Sequence, residues 1–120
     1  VLVLGSSTWG AGELQDDWYD GVNVLKKCDL SHKYVALFGC GDSDSYSDTF
    51  CDAIGIIYED LKDAHCKFCG AVDTAGYTFD SSIAVVDGKF IGLPIDEVNE
   101  DNQTEERISA WAEQVKQEIS

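Results

Sequence analysis

Residues 34–42 read YVALFGCGD, a run of five apolar side chains closed by a short segment with two glycines and an aspartate. A continuous apolar run of this length is typical of a strand that is covered on both faces of a sheet. Val1–Leu4 is a second such run, and we interpret the Gly5-Ser6-Ser7 that follows it as a turn. Lys67–Val72 has the composition of a third, shorter strand. The chain therefore contains several segments suited to a buried parallel sheet.

Apolar residues recur at helical spacing between and after these strands. The spacing predicts amphipathic helices over about residues 13–27 and about residues 48–63, and a last helix that begins near Asn102 or Thr104. Because strands and helices alternate, we expect parallel strands joined by crossover helices. The predicted fold class is α/β, a doubly wound parallel sheet in a three-layer αβα arrangement.

Residues 73–95 interrupt this alternation. Asp87-Gly88 stands between the apolar runs Ile83–Val86 and Lys89–Leu93, and an Asp-Gly pair in such a place favours a β-hairpin. The sequence thus predicts one domain over residues 1–120 with a hairpin insertion at about residues 73–95. We expect that deleting the insertion would spare the rest of the sheet.

The chain is strongly acidic, with a net charge of −15 from 23 acidic and 8 basic side chains. This balance argues against nucleic acid or an anionic membrane surface as a partner, because both require clustered Lys and Arg. A field of this sign speeds encounter with basic protein surfaces, although it also fits an acidic surface that is merely solvated. No apolar run is long enough to span a bilayer, so no membrane insertion is expected.

The five cysteines and two histidines do not form a recognisable site. An odd number of cysteines without a secretory signal argues against a disulfide framework and favours a reducing compartment, cytoplasm or chloroplast stroma. Cys66 and Cys69 form a C-x-x-C that runs into a strand, where positions i and i+3 face opposite sides, so we expect neither a disulfide nor a shared metal. His32 and His65 stand in polar segments without a metal-ligand pattern, and no metal site is predicted.

Two segments follow strand ends and suit a ligand site. They are Ser6–Gly12 and Gly39–Tyr46, and ligands of open parallel sheets bind beyond the carboxyl ends of the strands. Their glycines allow close backbone approach, and Trp9 and Tyr46 offer aromatic faces that could hold a flat ring between them. Neither segment contains Lys or Arg. The part of the ligand bound here should therefore be planar and polar rather than strongly anionic.

Each of these residues also has a simpler interpretation. A loop Trp or Tyr more often packs against its own protein than binds a ligand, and Asp42 fits an Asx turn. Two aromatic residues on adjacent strand ends favour the ligand site, but their spacing alone leaves both interpretations open.

Five segments of the chain are similar to long-chain flavodoxins: residues 7–18, 39–55, 76–79, 90–97 and 106–111. The similarity covers essentially the whole chain, and the motifs are long and specific. It implies a flavodoxin-like doubly wound fold in which residues 76–97 belong to an insertion that splits the last strand.

The resemblance implies a low-potential electron carrier that binds FMN and shuttles single electrons between redox proteins, rather than an enzyme. Trp9 and Tyr46 would flank the isoalloxazine ring, and the peptide at Gly10 would change orientation when the flavin is reduced. Expected partners are basic redox proteins with reductase-type or photosystem-type docking surfaces. No catalytic residue is predicted, and the cofactor-binding residues would be Ser7, Thr8, Trp9, Gly10, Ala11, Gly12, Cys40, Gly41, Asp42 and Tyr46.

The sequence departs from the family at its start. Flavodoxins begin with a strand and a Thr/Ser-rich loop that holds the FMN phosphate, and no such segment is seen here. We therefore expect N-terminal strand–helix units to be missing, FMN to bind weakly to these residues alone, and another segment or a partner chain to cover the edge at Val1–Leu4. The alternative function is a flavodoxin-fold subunit or domain of a larger electron-transfer assembly, for example a photosynthetic one, that has a docking role and binds FMN weakly or not at all.

Overall fold

The computed structural model describes residues 1–9 and 12–119 and contains a parallel sheet with helices on both faces. The helices are α1 (Asp17–Lys26), α2 (Asp52–Leu61) and α3 (Asp101–Glu118). The strands are β1 (Leu2–Trp9), β2 (Glu13–Leu14), β3 (Tyr34–Cys40), β4 (Lys67–Cys69), β5 (Val72–Asp73), β6 (Val85–Val86), β7 (Lys89–Phe90) and β8 (Leu93–Ile95). The α/β fold class predicted from the sequence is confirmed.

Strand β3 lies at the centre of the sheet. On one side it pairs in parallel with β1, from Leu2↔Val35 to Ser7↔Cys40. On the other side β4 pairs with its first half and β8 with its second half, both in parallel. One strand position is thus shared by two segments that are far apart in sequence, with residues 70–92 running between them.

Strand β1 is longer than the sequence predicts, and the turn expected at Gly5-Ser6-Ser7 is wrong. The strand continues to Trp9 because β3 pairs with it through Ser7, and β2 then pairs with Thr8 and Trp9 in antiparallel fashion. Gly5 serves packing instead, since a Cβ at this position would overlap the ring of Phe38. A glycine in a strand often marks such a close approach.

The expectation that Val1–Leu4 is buried on both faces is also wrong. Leu2 and Leu4 pack against the core on the α2 side, whereas Val3, which points the other way, is 51% exposed. Side chains alternate along a strand, and within the described residues the face that carries Val3 is only partly covered by α3.

Two helices and one strand are shorter than predicted. The spacing of their apolar residues does not explain this, because contacts with other segments and a glycine conformation set where they begin and end. Helix α1 starts only at Asp17, because Glu13–Leu14 is used by β2. Helix α2 starts at Asp52, because the backbone N–H of Phe50 donates to the Ser81 carbonyl (3.3 Å) rather than within a helix. The strand predicted at Lys67–Val72 is divided between β4 and β5 at Gly70, whose φ is +85°.

The hairpin predicted at Asp87-Gly88 is confirmed. β6 pairs with β7 in antiparallel fashion, and both turn residues have positive φ, 54° and 83°. The surrounding segment does not stand apart from the core, because Phe90 is fully buried and its ring packs against Phe50. This packing removes the basis for expecting the sheet to survive deletion of residues 73–95.

Candidate functional site

A cleft of about 220 Å³ lies at the carboxyl end of the sheet. It is bounded by the ends of β1 and β3, the segment that leads into α2, and the turn after β8. Its lining residues are Ser7, Thr8, Cys40, Gly41, Asp42, Tyr46, Thr49, Cys51 and Val98. This is the end of a parallel sheet at which ligands are generally bound.

Six of the ten predicted cofactor-binding residues line this cleft: Ser7, Thr8, Cys40, Gly41, Asp42 and Tyr46. Trp9 ends β1 beside the cleft, is 47% exposed, and donates from its indole Nε1 to Ser7 Oγ (2.7 Å). Gly12 lies at the turn into β2 and packs on the start of α2. Gly10 and Ala11 lie outside the described residues.

The end of β1 is joined to the first turn of α2. The backbone N–H of Ala53 donates to Thr8 Oγ1 (3.2 Å). A Cβ at Gly12, where φ is +92°, would stand 2.6 Å from Asp52 Oδ2, so only glycine fits beside this carboxylate. Burial raises the pKa of Asp52 above its ordinary value, although hydrogen bonds from Ile83 and Ser82 oppose the shift.

The segment after β3 is folded around the carboxylate of Asp42. Asp42 Oδ1 accepts hydrogen bonds from the backbone N–H groups of Asp44 (3.1 Å) and Ser45 (3.0 Å) and from the Asn99 side-chain amide (2.8 Å). These bonds, that from Ser45 above all, lower the pKa of Asp42. The Asx-turn interpretation of Asp42 is therefore confirmed, and its side chain is already engaged within the protein.

Tyr46 is held at the end of this turn. Its backbone N–H donates to the carbonyl of Asp42 (2.9 Å), while its ring is 48% exposed at the cleft. The backbone N–H of Gly41 donates to the Ile95 carbonyl (2.9 Å). The N–H of Gly41 is therefore already used within the protein, and a ligand would contact other groups of this segment.

Sequence reasoning missed three lining residues, Thr49, Cys51 and Val98. Thr49 Oγ1 is buried and has no hydrogen-bond partner among the described residues, which leaves a polar atom at the cleft for a ligand to engage. Val98 is 69% exposed and presents an apolar side chain at the rim. Val98 could have been found from its position just beyond β8, whose carboxyl end lies beside that of β3.

The cleft is electrostatically suited to an uncharged group. None of the described residues that line it is basic. Burial raises the pKa of the Cys51 thiol well above its ordinary value, and burial with the nearby charge of Glu97 raises that of Cys40. Both thiols are therefore protonated at neutral pH, and Asp42 supplies negative charge at the wall.

The five cysteines and both histidines all lie in the described part of the chain. All five cysteines are free there, and Cys66 and Cys69 belong to core clusters on opposite faces of the sheet. No group of three or more His, Cys, Asp or Glu side chains suited to a metal ion occurs in residues 1–9 and 12–119. Within the same ranges, none of the helices is both long and apolar enough to cross a bilayer.

Comparison with known proteins gives consistent results. The family model described as Flavodoxin matches residues 1–111. Flavodoxin 1 of Azotobacter vinelandii is 44% identical over 120 residues, which cover 98% of this chain and 69% of that protein. The flavodoxin of Helicobacter pylori is 49% identical over 115 residues, covering 96% and 69%.

A solved structure is also close in geometry. The Fusobacterium nucleatum flavodoxin bound to flavin mononucleotide superimposes with a TM-score of 0.93 at 32% sequence identity. The match covers 98% of this chain and 70% of that one.

Proposed function

This chain belongs to the flavodoxin family, and we propose that the cleft at the ends of β1 and β3 is where it holds the flavin ring of FMN. The protein is an FMN-dependent carrier of electrons. The observation that carries the proposed site is that six residues expected to contact the cofactor, from two distant segments, line one cleft.

The residues present fit the ring portion of FMN. Trp9 and Tyr46 both lie at the carboxyl end of the sheet, and each residue is about half exposed. Aromatic faces stack favourably on planar π systems, and a flat ligand between the two residues would remove their apolar surface from water. Thr49 Oγ1 adds a buried polar atom without a partner in the described part of the chain, which suits a polar ring edge.

The isoalloxazine ring of FMN supplies the redox chemistry by taking up and releasing single electrons. The protein's own residues orient the ring and set the charge around it. The carboxylate of Asp42, with no basic side chain among the described lining residues, disfavours additional negative charge in the cleft. This arrangement supports a low midpoint potential.

Flavodoxins are electron carriers that pass electrons to redox partners, and we assign this chain no substrate turnover of its own. Its acidic surface supports basic docking sites on those partners, because complementary charge speeds encounter and fixes orientation. Val98, with the adjacent Glu97, would give such a partner an apolar contact beside a negative charge.

A reducing compartment fits the five free cysteines. The relatives of Azotobacter and Helicobacter are bacterial proteins, which supports a bacterial cytoplasm and not the chloroplast stroma that the sequence alone left open.

A second strand beside β1 is a separate proposal. Within the described residues Leu2–Ser7 pairs only with β3, and Val3 is half exposed. An unpaired apolar edge favours association with another strand. We propose that a further segment of the polypeptide or a partner chain covers this edge. The alternative function, a place in a larger electron-transfer assembly, requires that a partner chain covers it.

The test of the site is a titration of the chain with FMN and with lumiflavin, which carries the ring without ribityl phosphate. Flavin fluorescence should be quenched, and Trp9→Ala and Tyr46→Ala should each weaken binding of both ligands, by roughly five- to tenfold for an aromatic stack of about 1 to 1.4 kcal/mol. Tyr19→Ala is the matched control, since Tyr19 is equally exposed (48%) but lies on α1. Equal affinities for all four proteins would refute the site.

A further inference from the structure

Asp96 is a fully buried carboxylate directly after β8, at the same end of the sheet as the cleft. Its position was not assigned a role by sequence reasoning, because β8 was counted with the hairpin insertion. A buried charge is costly unless hydrogen bonds replace its hydration. The groups that donate hydrogen bonds to Asp96 therefore indicate its role.

One carboxylate oxygen reaches the Tyr46 segment directly. Asp96 Oδ2 accepts from the backbone N–H of Ser43 (3.0 Å) and from the Ser43 hydroxyl, across 53 positions of sequence. Ser43 follows Asp42 in the turn that ends at Tyr46. The carboxylate is thus bonded to the middle of the segment that forms one wall of the cleft.

The other connection runs through Asn99. Its backbone N–H donates to Asp96 Oδ1 (3.0 Å), which closes a tight turn that places Val98 at the cleft. Its side-chain amide donates to both oxygens of Asp96 (3.2 and 3.1 Å) and to Asp42 Oδ1 (2.8 Å). Asn99 therefore ties the two carboxylates together.

We propose that Asp96 is a positioning residue for the flavin site: through Ser43 and Asn99 it fixes the orientation of Gly41, Asp42 and Tyr46, and of Val98, toward the bound ring. The proposal rests on the proposed function, because it concerns the same cleft. Asp96 itself does not line the cleft and acts through Ser43 and Asn99.

Charge is essential to this role. Burial raises the pKa of Asp96, but the hydrogen bonds from Ser43 and Asn99 outweigh burial, and the resulting pKa lies below the ordinary value. Asp96 is therefore a carboxylate at neutral pH, an acceptor on both oxygens. An asparagine at this position would place an NH₂ donor where Asp96 has an acceptor oxygen. The isosteric change should therefore break the hydrogen bonds on one side of Asp96, either those from Ser43 or those from Asn99.

The test compares Asp96→Asn with Asp44→Asn in the full chain. Asp44 is an exposed residue of the same segment, and its carboxylate has no hydrogen bond or ion pair in the described structure, so it controls for charge alone. Lumiflavin and FMN affinities are measured by fluorescence quenching, the midpoint potential of bound FMN by redox titration, and amide exchange at Ser43 and Ser45 by NMR.

For Asp96→Asn we expect faster exchange at both amides, flavin affinity weaker by about tenfold from the loss of a charge-assisted hydrogen bond, and a shifted potential. Asp44→Asn should leave exchange and affinity within about twofold of the wild type. If Asp96→Asn does not fold, Ser43→Ala, which keeps the carboxylate and removes one donor, should show the same changes at smaller size.

Faster exchange with unchanged flavin affinity and potential would make Asp96 a structural anchor only and would overturn the positioning role. Equal effects of the Asp96 and Asp44 variants would overturn it as well, in favour of a general charge effect. If the wild-type chain binds neither lumiflavin nor FMN, it is the proposed site that fails.

Discussion

Tyr46 in the lining of the cleft and Trp9 beside it are equally exposed but supported in different ways. We refer to residues 42–46 as the Tyr46 wall and to residues 7–9 as the Trp9 wall. Tyr46 belongs to a turn that is bonded to the segment after β8 through Ser43 and Asn99, more than 50 positions away. Trp9 ends a strand and donates to Ser7, two positions earlier, in the same strand. The Tyr46 wall thus depends on tertiary contacts, and the Trp9 wall mainly on strand pairing and one bond to α2.

This difference indicates where changes far from the cleft are felt. A substitution in the hairpin segment or after β8 should disturb the Tyr46 wall, because both segments pack or bond to it. The Trp9 wall should respond to changes in β1, β2 and the first turn of α2.

The largest expected effect is that of Phe90→Ala. Phe90 is fully buried against Phe50, Tyr77 and Phe79, directly behind the segment that leads from Tyr46 into α2. Truncating a buried phenylalanine should lower the free energy of unfolding by about 3–5 kcal/mol, as measured by urea denaturation. Ile83→Ala, at a 54% exposed side chain of the same insertion, is the control. A loss below about 1 kcal/mol for Phe90→Ala would restore the idea of a dispensable insertion.

Asp96→Ala should have the next largest effect, about 2 kcal/mol, because it leaves the partly buried donors of Ser43 and Asn99 without their charged acceptor. Thermal unfolding checks the loss of stability. Amide exchange should increase at Ser43 and Ser45 but not at Thr8, since residues 7–9 make no hydrogen bond to Asp96 in the part of the chain that the structure describes. Equal increases on both walls would show that they are not independent.

Thr8→Val tests the opposite wall and should cost about 1 kcal/mol. The change keeps the shape of the side chain but removes the Oγ1 that accepts from the backbone N–H of Ala53 in the first turn of α2. Chemical denaturation gives the size of the effect, and NMR gives its location. Perturbations centred on Ser43 instead of Ala53 would contradict the division into two walls.

The smallest expected effect is a difference in pH dependence between the walls. The folded pKa of Asp42 is lowered, so its stabilisation is present above the unfolded pKa of about 3.9 and is lost as pH falls through the folded pKa. The folded pKa of Asp52 is raised, so its contribution is present below about 3.9 and is lost as pH rises through the folded pKa.

Melting temperatures measured across the acid range test this opposition. Relative to the wild type, Asp52→Asn should gain stability as pH rises through the folded pKa of Asp52. Asp42→Asn should lose stability, relative to the wild type, as pH rises through the lowered pKa of Asp42. The same trend in both variants would contradict the opposite pKa shifts of Asp42 and Asp52.

Much of the fold was predictable because it follows from local patterns. The apolar runs mark β1, β3 and β4, and the turn chemistry of Asp87-Gly88 marks the hairpin. The errors occur where a partner decides the outcome. Residues 13–14 look like the start of a helix, but they pair with Thr8 and Trp9 instead.

The site shows the same division. The predicted residues Ser7 and Cys40 could be placed together because each lies near the carboxyl end of its strand, and parallel strands end at the same edge. Thr49, Val98 and Asp96 were not predicted, because their roles depend on how the α2 entry and the β8 turn pack beside that edge.

The sequence by itself determined the alternation of strands and helices, the aromatic residues at two strand ends, the acidic character and the family. These features are encoded in short-range spacing and in motifs that can be read without partners. Only the tertiary structure decided that Gly5 is a packing position and not a turn, and that Asp96 is bonded to Ser43. Steric fit and hydrogen bonding act between atoms in space, and chain segments about 30 to 50 positions apart supply them here.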